Sequence, residues 1–273
     1  MIVEPFEVIE PETGETPIVV EVPHAGLWMD PQSLSYCAVA ARSLGSDADL
    51  YAEELVQDAP GEGASLVFAK MSRYVLDLNR NLEDVDRSAV MGATRENCTR
   101  GLVWTLSVDE RPALISPLPQ AELQRRIAQY YNPYHARLRE IVERKRNRFG
   151  LAIVLSLHSM PSVGRCSQTG RAISRADVVI GTQSRSTSST RFISRAEEQA
   201  KAWGLSVAHD DPYKGGATTV RMGRPKENIH AIQIELARRL YMDERSLERH
   251  SDFGRTRSFC RALVAKLGEG ALG

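Results

Sequence analysis

Apolar residues along the chain fall into short runs of strand length. Most of these runs are rich in β-branched residues and end at a glycine, a proline or a polar turn, which is typical of buried strands. The segment before the first run, residues 1–16, is predicted to be irregular. The runs predict strands over residues 17–22, 64–69, 74–78, 153–158, 176–181, 205–208 and 231–235.

Apolar residues at helical spacing lie between several of these strands. In the clearest stretch, residues 118–148, apolar side chains recur with the helical period and charged residues fill the intervening positions. By contrast, residues 81–117 are polar and irregular, and a stretch of this kind inside a compact domain is usually functional or disordered. The predicted helices cover residues 47–56, 118–148, 191–203 and 245–267.

The order of these elements predicts the fold class. Strands alternate with helices, which favours an α/β fold with a mixed, largely parallel sheet flanked by helices. We found no internal repeat and no linker-like composition in the 273 residues. The sequence therefore predicts a single domain over residues 1–273.

Composition and charge exclude several classes of function. Lys and Arg number 35, as do Asp and Glu, so the formal net charge is zero. This balance argues against a general nucleic-acid-binding protein but leaves room for a local basic pocket. No apolar run approaches membrane-spanning length. Four well-separated cysteines without a C-x-x-C pair predict a reduced, cytoplasmic setting, and nothing in the sequence indicates an oligomeric state.

Two histidines stand at the ends of predicted strands. His24 follows the run 18–23, and His158 follows the run 153–157. Ligands of open α/β sheets bind beyond the carboxyl ends of the strands, which is where both imidazoles would lie. Catalytic zinc sites commonly combine two histidines, one carboxylate and a water. The pattern predicts such a site, with the alternative that each histidine caps its strand through a hydrogen bond.

Acidic residues near these strands could complete the site. Asp47 and Asp49 follow Ser46 one loop after His24, so either could bind the metal while the other caps a helix. Glu235 lies inside an apolar strand, where burying an unpaired carboxylate costs folding free energy. It would act as a general base on a metal-activated water, or form a structural ion pair with Arg238 or Arg239.

Two arginines flank the predicted strand 74–78. Arg73 precedes it, and Asn79 and Arg80 follow it. Because a guanidinium can grip a carboxylate through two parallel hydrogen bonds, both arginines are candidate holders of an anionic substrate. Structural salt bridges are the alternative for each of them.

Taken in order, these segments resemble the N-formylglutamate amidohydrolase family over about residues 17–245. The sequence differs from the family pattern at two positions: family members usually have Ser in place of Ala25 and Asp in place of Ser156. The matching stretches are Pro23-His24-Ala25-Gly26, Ser46-Asp47-Ala48-Asp49, Ser72-Arg73-Tyr74-Val75-Leu76-Asp77-Leu78-Asn79-Arg80, Pro133-Tyr134-His135, Leu157-His158-Ser159-Met160-Pro161, Pro212-Tyr213-Lys214-Gly215-Gly216, Gly223-Arg224-Pro225, Gln233-Ile234-Glu235 and Arg239-Leu240-Tyr241.

The resemblance implies a phosphorylase/hydrolase-like fold related to zinc carboxypeptidases, with the metal at the strand ends. It implies one Zn²⁺ per chain, bound by His24, Asp49 and His158, with Asp47 as the reserve ligand. Glu235 would be the general base, and Arg80 would be the second catalytic residue, polarising the scissile carbonyl. The implied substrate-binding residues are Arg73, Asn79, Arg80, Tyr213, Gly215 and Gly216.

The activity implied by the resemblance is zinc-dependent hydrolysis of the amide bond of an N-acyl amino acid. The leading substrate is N-formyl-L-glutamate, which would give formate and L-glutamate. One alternative is a metallo-deacylase or carboxypeptidase-like hydrolase of another acyl amino acid or a short peptide. The other is a non-catalytic relative that binds an acidic metabolite, an interpretation that the departures at Ala25 and Ser156 keep open. The expected partner is a small anionic molecule, and neither nucleic acid nor membrane is expected.

Overall fold

A computed structural model describes residues 4–165 and 170–272 of the chain. Cys166, one of the four cysteines, lies outside these residues, and the other three are free thiols. The strands are β1 (Phe6–Ile9), β2 (Ile18–Val22), β3 (Ser65–Ala69), β4 (Ala152–Met160), β5 (Val163–Arg165), β6 (Ala172–Ser174), β7 (Val178–Gly181), β8 (Val207–His209) and β9 (Ile229–Ala237).

Eight α-helices and several single turns connect these strands in the described residues. None of the described helices is both long enough and apolar enough to cross a lipid bilayer. The helices are α1 (Pro31–Leu34), α2 (Ala41–Asp47), α3 (Ala52–Leu55), α4 (Gln120–Arg126), α5 (Asn132–Phe149), α6 (Thr190–Ala202), α7 (Ala217–Met222) and α8 (Phe253–Leu272).

Seven strands form one sheet in the order β1-β3-β2-β4-β9-β7-β8, and β5 pairs with β6 apart from it. At its centre, β4 runs parallel to β2 on one side and to β9 on the other. Strand β7 runs antiparallel to β9, and β8 runs parallel to β7. The predicted mixed, largely parallel α/β sheet is therefore confirmed.

The two central strands are buried along their whole length. Every residue of β4 and of β9 is buried, and most are aliphatic, as expected for parallel strands covered on both faces. Apart from Ser159 and His230, the buried polar residues stand two apart on each strand: Ser156 and His158 on β4, and Gln233 and Glu235 on β9. Because successive side chains point to opposite faces of a sheet, these four share one face near the carboxyl ends.

Residue contacts divide the described chain into two compact units. The first unit comprises residues 4–7, Pro23–Leu50 and Phe68–Glu140, and Tyr74, Trp104 and Ala113 form a buried cluster within it. The second comprises Val8–Val22, Tyr51–Val67 and the described residues from 141 onward, and it contains β2, β4, β7, β8 and β9. The single domain over residues 1–273 stays a prediction.

The long predicted helix over 118–148 is present, but a wider turn interrupts it. Residues Ile127–Tyr131 form a π-helical segment between α4 and α5. Pro133 lies two residues after this segment, and a proline inside a helix removes one backbone hydrogen bond and crowds the preceding turn. The π-helical segment accommodates that crowding without ending the helix.

Three other predicted elements differ from the structure. Residues 74–78 form turns rather than a strand, and β1 lies within the lead-in that was predicted to be irregular. The predicted helix over 47–56 is wrong at its start, since Asp47 ends α2 and α3 begins only at Ala52.

The last helix also begins later than predicted. It starts at Phe253 rather than near residue 245. The carboxylate of Asp243 accepts hydrogen bonds from the backbone N–H groups of Arg245 and Ser246, which closes a turn there instead.

Candidate active site

Backbone contacts fix the segment that carries His24. Strand β2 ends at Val22, and two residues later the carbonyl of His24 accepts a hydrogen bond from the N–H of Asp49 at 3.0 Å. Gly26 follows, and a Cβ on it would lie 2.1 Å from the carbonyl carbon of Lys70. Only glycine lets the chain pass Lys70 this closely, so Gly26 is needed for the path of the backbone.

Both ring nitrogens of His24 face a carboxylate. Nε2 lies 2.7 Å from Oδ1 of Asp77, and Nδ1 lies 3.5 Å from Oδ2 of Asp49. A carboxylate on Nε2 holds the proton there and orients the ring. The lone pair of Nδ1 then points towards Asp49, which is the arrangement a metal ligand requires.

Asp77 was not among the predicted site residues. It is fully buried, and its Oδ2 accepts hydrogen bonds from Nη2 of Arg73 at 2.9 Å and Nε1 of Trp104 at 3.0 Å. Burial alone would raise the pKa of Asp77, but the interaction with His24 and the charge of Arg73 outweigh burial and hold that pKa well below its usual range. The charged form of Asp77 is therefore favoured beside His24.

Arg73 and Asp47 lie beside the His24–Asp77 pair and are themselves held by hydrogen bonds. Nη1 of Arg73 donates to the carbonyl of Asp47 at 3.0 Å, and its guanidinium stacks on Trp104 at 4.2 Å from the ring centroid. The Asp47 carboxylate accepts from the Tyr74 hydroxyl and from the Val108 N–H. Burial and the hydrogen bond to Asp47 raise the pKa of Tyr74, so its hydroxyl remains a donor. The substrate contact of Arg73 stays a prediction.

Arg80 is half-buried, and backbone groups hold part of its guanidinium. Nε donates to the carbonyl of Arg100 and Nη1 to the carbonyl of Asn79, both at 2.9 Å. Among residues 4–165 and 170–272, Nη2 has no hydrogen-bond partner. Asn79 itself is anchored through its N–H, which donates to Oδ1 of Asp77 at 2.9 Å.

Side chains from α4, the π-helical segment and α5 donate hydrogen bonds to the loop over residues 75–80. Nη1 of Arg126 donates to the carbonyl of Val75 at 2.8 Å, and the Tyr131 hydroxyl donates to the carbonyl of Arg80 at 2.8 Å. Further on, Nε2 of His135 lies 2.9 Å from the carbonyl of Leu78. These contacts satisfy backbone groups that a neighbouring strand would satisfy in a sheet.

On the sheet, His158 and Glu235 are neighbours. They are register partners on the parallel strands β4 and β9, so their side chains leave the same face side by side. Glu235 is only 6% exposed, and Nε2 of Gln233 donates to its Oε1 at 2.9 Å. Gln233 in turn accepts from the N–H of Gly216 at 2.7 Å, which ties the Glu235 carboxylate to the turn that ends in Gly216.

Arg238 and Arg239, the alternative ion-pair partners of Glu235, also contact other groups. Nη2 of Arg239 pairs with Asp177 at 2.8 Å, and Nε of Arg238 donates to the Ser159 hydroxyl at 3.1 Å. In the turn, the Tyr213 hydroxyl accepts from Nη1 of Arg175 at 3.2 Å.

Gly215 lies in the same turn. It has φ +105°, a value that side-chain-bearing residues rarely adopt, and its carbonyl accepts from Nε2 of Gln183 at 2.6 Å. The predicted roles of Tyr213, Gly215 and Gly216 in binding substrate stay predictions.

The three predicted metal ligands provide a donor set of the kind zinc takes. One donor atom from each of His24, Asp49 and His158 lies within 4.8 Å of the others, and all three side chains are buried. Donors about 2.0–2.1 Å from a tetrahedral zinc ion stand roughly 3.3 Å apart, close to the 3.5 Å between His24 Nδ1 and Asp49 Oδ2. The donor set and its spacing therefore fit a catalytic zinc site.

Comparison with known proteins identifies the family. The sequence model of the N-formylglutamate amidohydrolase family matches residues 16–242. The chain belongs to this family. It is 32% identical to an N-formylglutamate deformylase of Pseudomonas aeruginosa over 88% of this chain and 87% of the relative. It is 33% identical to one of Pseudomonas putida over 85% of this chain and 84% of that relative.

A solved member of the same family shows the same fold. The crystal structure of an N-formylglutamate amidohydrolase from Ralstonia eutropha JMP134 superposes with a TM-score of 0.89 and 32% identity, covering 98% of each chain. The amidohydrolase family expected from the order of the motifs is thus confirmed. Asp77 lies in one of the stretches that carried the resemblance.

Replacing Asp77 with asparagine tests the partner of His24. Because the amide oxygen would be a neutral acceptor for Nε2, we expect Asp77→Asn to weaken zinc binding by about 10–100-fold. The measurement is competition for zinc with a chromophoric chelator. Asp30→Asn is the matched control, since Asp30 is also buried and contacts Arg125 and the Tyr130 hydroxyl. Equal zinc affinity in both variants would contradict the role given to Asp77.

Proposed function

We propose that this protein is a zinc-dependent deformylase that hydrolyses N-formyl-L-glutamate to formate and L-glutamate. The observation that carries the proposal is the buried trio His24, Asp49 and His158 beside Glu235, in a chain of the N-formylglutamate amidohydrolase family. The cytoplasmic location predicted from the cysteines remains part of this proposal.

In this proposal His24, Asp49 and His158 hold one Zn²⁺. When bound, the ion would lower the pKa of a water ligand and polarise the formyl oxygen. The Asp77 carboxylate keeps His24 oriented through Nε2. The burial of all three ligands keeps bulk water away from the donor atoms.

Glu235 is the general base. One of its carboxylate oxygens accepts a proton from the attacking water and later delivers that proton to the departing amine nitrogen of glutamate. The hydrogen bond from Nε2 of Gln233 to Oε1 helps to orient the Glu235 carboxylate. Because Glu235 on β9 is the register partner of His158 on β4, the base and a metal ligand are held side by side by two paired strands of the sheet.

Arg80 is the proposed contact for the anionic substrate and its scissile carbonyl. Two of its three guanidinium nitrogens are fixed to backbone carbonyls, which orients Nη2 before substrate arrives. A pre-oriented donor loses little freedom on binding, so a charge-assisted hydrogen bond from it is effective.

Replacing Arg80 with lysine tests that contact. Lysine keeps the charge but cannot span two carbonyls and a substrate oxygen, and a hydrogen bond to a charged group is worth about 1.5–3 kcal/mol. We therefore expect Arg80→Lys to lower kcat/KM by about 10–150-fold. Arg100→Lys is the control, because Arg100 instead contacts Glu110 and the Ser107 carbonyl. A loss that is equal in both variants would contradict a direct contact.

Formate release is the test of the function. Purified protein containing zinc is assayed with N-formyl-L-glutamate, N-acetyl-L-glutamate and N-formyl-L-norvaline, the last of which lacks the side-chain carboxylate. We expect turnover of N-formyl-L-glutamate with the highest kcat/KM. Release of acetate at a higher rate would point to a deacylase of other acyl amino acids. Zinc binding or glutamate binding without turnover of any substrate would contradict the proposal.

A further inference from the structure

An acidic side chain lies inside the apolar strand β2. Glu21 has 0% exposure, and the other residues of the strand are Ile18, Val19, Val20 and Val22. A carboxylate buried in this way is stable only when hydrogen bonds or charges satisfy it. Glu21 is the register partner of Ser156 on β4, so both side chains lie on the face that carries His158.

The hydrogen bonds from Glu21 lead directly to His158. The Ser156 hydroxyl donates to Oε2 of Glu21 at 2.5 Å, and Nε2 of His158 lies 3.1 Å from the same hydroxyl oxygen. On the far side, the Thr218 hydroxyl donates to Oε1 of Glu21 at 3.3 Å. The four side chains form one continuous line from α7 to the predicted metal ligand.

We propose that Glu21 is a positioning residue for His158 and that it acts through the Ser156 hydroxyl. The proposal rests on the zinc site of the proposed function. A buried carboxylate then orients each of the two imidazoles. The imidazole of His24 donates its Nε2 proton directly to the Asp77 carboxylate, and the imidazole of His158 is linked to the Glu21 carboxylate through the Ser156 hydroxyl.

Ser156 cannot serve this purpose alone, because a hydroxyl is both donor and acceptor. When its proton goes to Glu21, its oxygen accepts the Nε2 proton of His158. This fixes the tautomer of the imidazole and directs Nδ1 to the metal. Without the carboxylate the hydroxyl can rotate and donate to Nε2, which favours the tautomer with the proton on Nδ1, where no metal can bind.

A double-mutant cycle on zinc affinity tests this line of hydrogen bonds. Glu21→Gln removes the charge of the acceptor and Ser156→Ala removes the hydroxyl, so we expect each to weaken zinc binding by about 10–100-fold. The combined variant should bind zinc no more weakly than the worse single variant. The readout is the zinc dissociation constant from competition with a chromophoric chelator, which is independent of catalysis.

A rescue variant separates positioning from a purely structural role. Combining Glu21→Gln with Ser156→Asp places a carboxylate directly beside Nε2 of His158, so zinc affinity should return to within about threefold of the wild type. The melting temperature of metal-free protein is measured for each variant. Glu122→Gln is the control, because Glu122 is also buried but contacts Arg125 and Arg126.

The outcomes separate this proposal from the function it rests on. Wild-type protein that binds no zinc would overturn both. If the wild type binds zinc, the proposal is overturned when Glu21→Gln keeps affinity within twofold, when the two single losses multiply, or when the rescue variant stays weak. A drop in melting temperature with unchanged zinc affinity would reduce Glu21 to a structural residue and likewise overturn it.

Discussion

Glu235→Gln is expected to lower kcat for N-formyl-L-glutamate by about 10²–10⁴-fold, the usual contribution of a general acid–base residue. The amide keeps the shape of the side chain and its contact with Gln233 but cannot accept a proton. Zinc content should stay at that of the wild type, because Glu235 is the neighbour of His158 rather than one of the three metal-ligating donors. The measurements are steady-state kinetics of formate release and zinc per chain.

The pH profile and a control glutamate sharpen this test. In the wild type, kcat should fall at acid pH as the base becomes protonated, and this limb should vanish in Glu235→Gln. Glu143→Gln changes another glutamate, one that is partly exposed and contacts Arg224, and should leave kcat unchanged. A Glu235→Gln enzyme with bound zinc and wild-type turnover would assign the base to another residue.

The central strands could be predicted because strands buried on both faces have continuous apolar sequences. Strands β4 and β9 are long apolar runs, and the predicted segments 153–158 and 231–235 fall within them. The sheet order could not be predicted in the same way. It depends on contacts between strands far apart in sequence, such as the parallel pairing of β2 with β4.

The error at residues 74–78 has a physical cause. The apolar residues there are buried, as the pattern indicates, but a pattern of burial does not reveal which groups satisfy the backbone. In this segment, side chains such as Arg126 and His135 contact the carbonyls of Val75 and Leu78, so no neighbouring strand is needed.

The candidate site shows the same limit of sequence patterns. The places of His24 and His158 after strand-like runs predict them as ligands, whereas type and spacing leave Asp47 and Asp49 equally open, and only the resemblance to the family favours Asp49. One donor atom from each of His24, Asp49 and His158 lies within 4.8 Å of the others, and their binding of a metal stays a prediction. Asp77 and Glu21 were missed, although each is a carboxylate inside an apolar run, the signal that singled out Glu235. Their partners, His24 and Ser156, come from distant parts of the chain, so their roles needed the fold.

Asp49→Ala is expected to remove the metal. An even share of the roughly 10–16 kcal/mol with which four ligands bind zinc is about 2.5–4 kcal/mol per ligand, so affinity should fall by about 70–900-fold. Protein purified without chelator should then contain little zinc, and formate release should be lost. In the wild type, a chelator should abolish formate release, and added zinc should restore it.

Asp47→Ala is the matched control, because it removes the neighbouring carboxylate that served as the alternative ligand. Asp47 accepts from the Tyr74 hydroxyl and the Val108 N–H, so its loss should lower the melting temperature and leave zinc affinity close to that of the wild type. Asp49 faces Nδ1 of His24 instead. If Asp47→Ala loses zinc while Asp49→Ala keeps it, Asp47 is the ligand, and the loop between α2 and α3 rearranges when the metal binds.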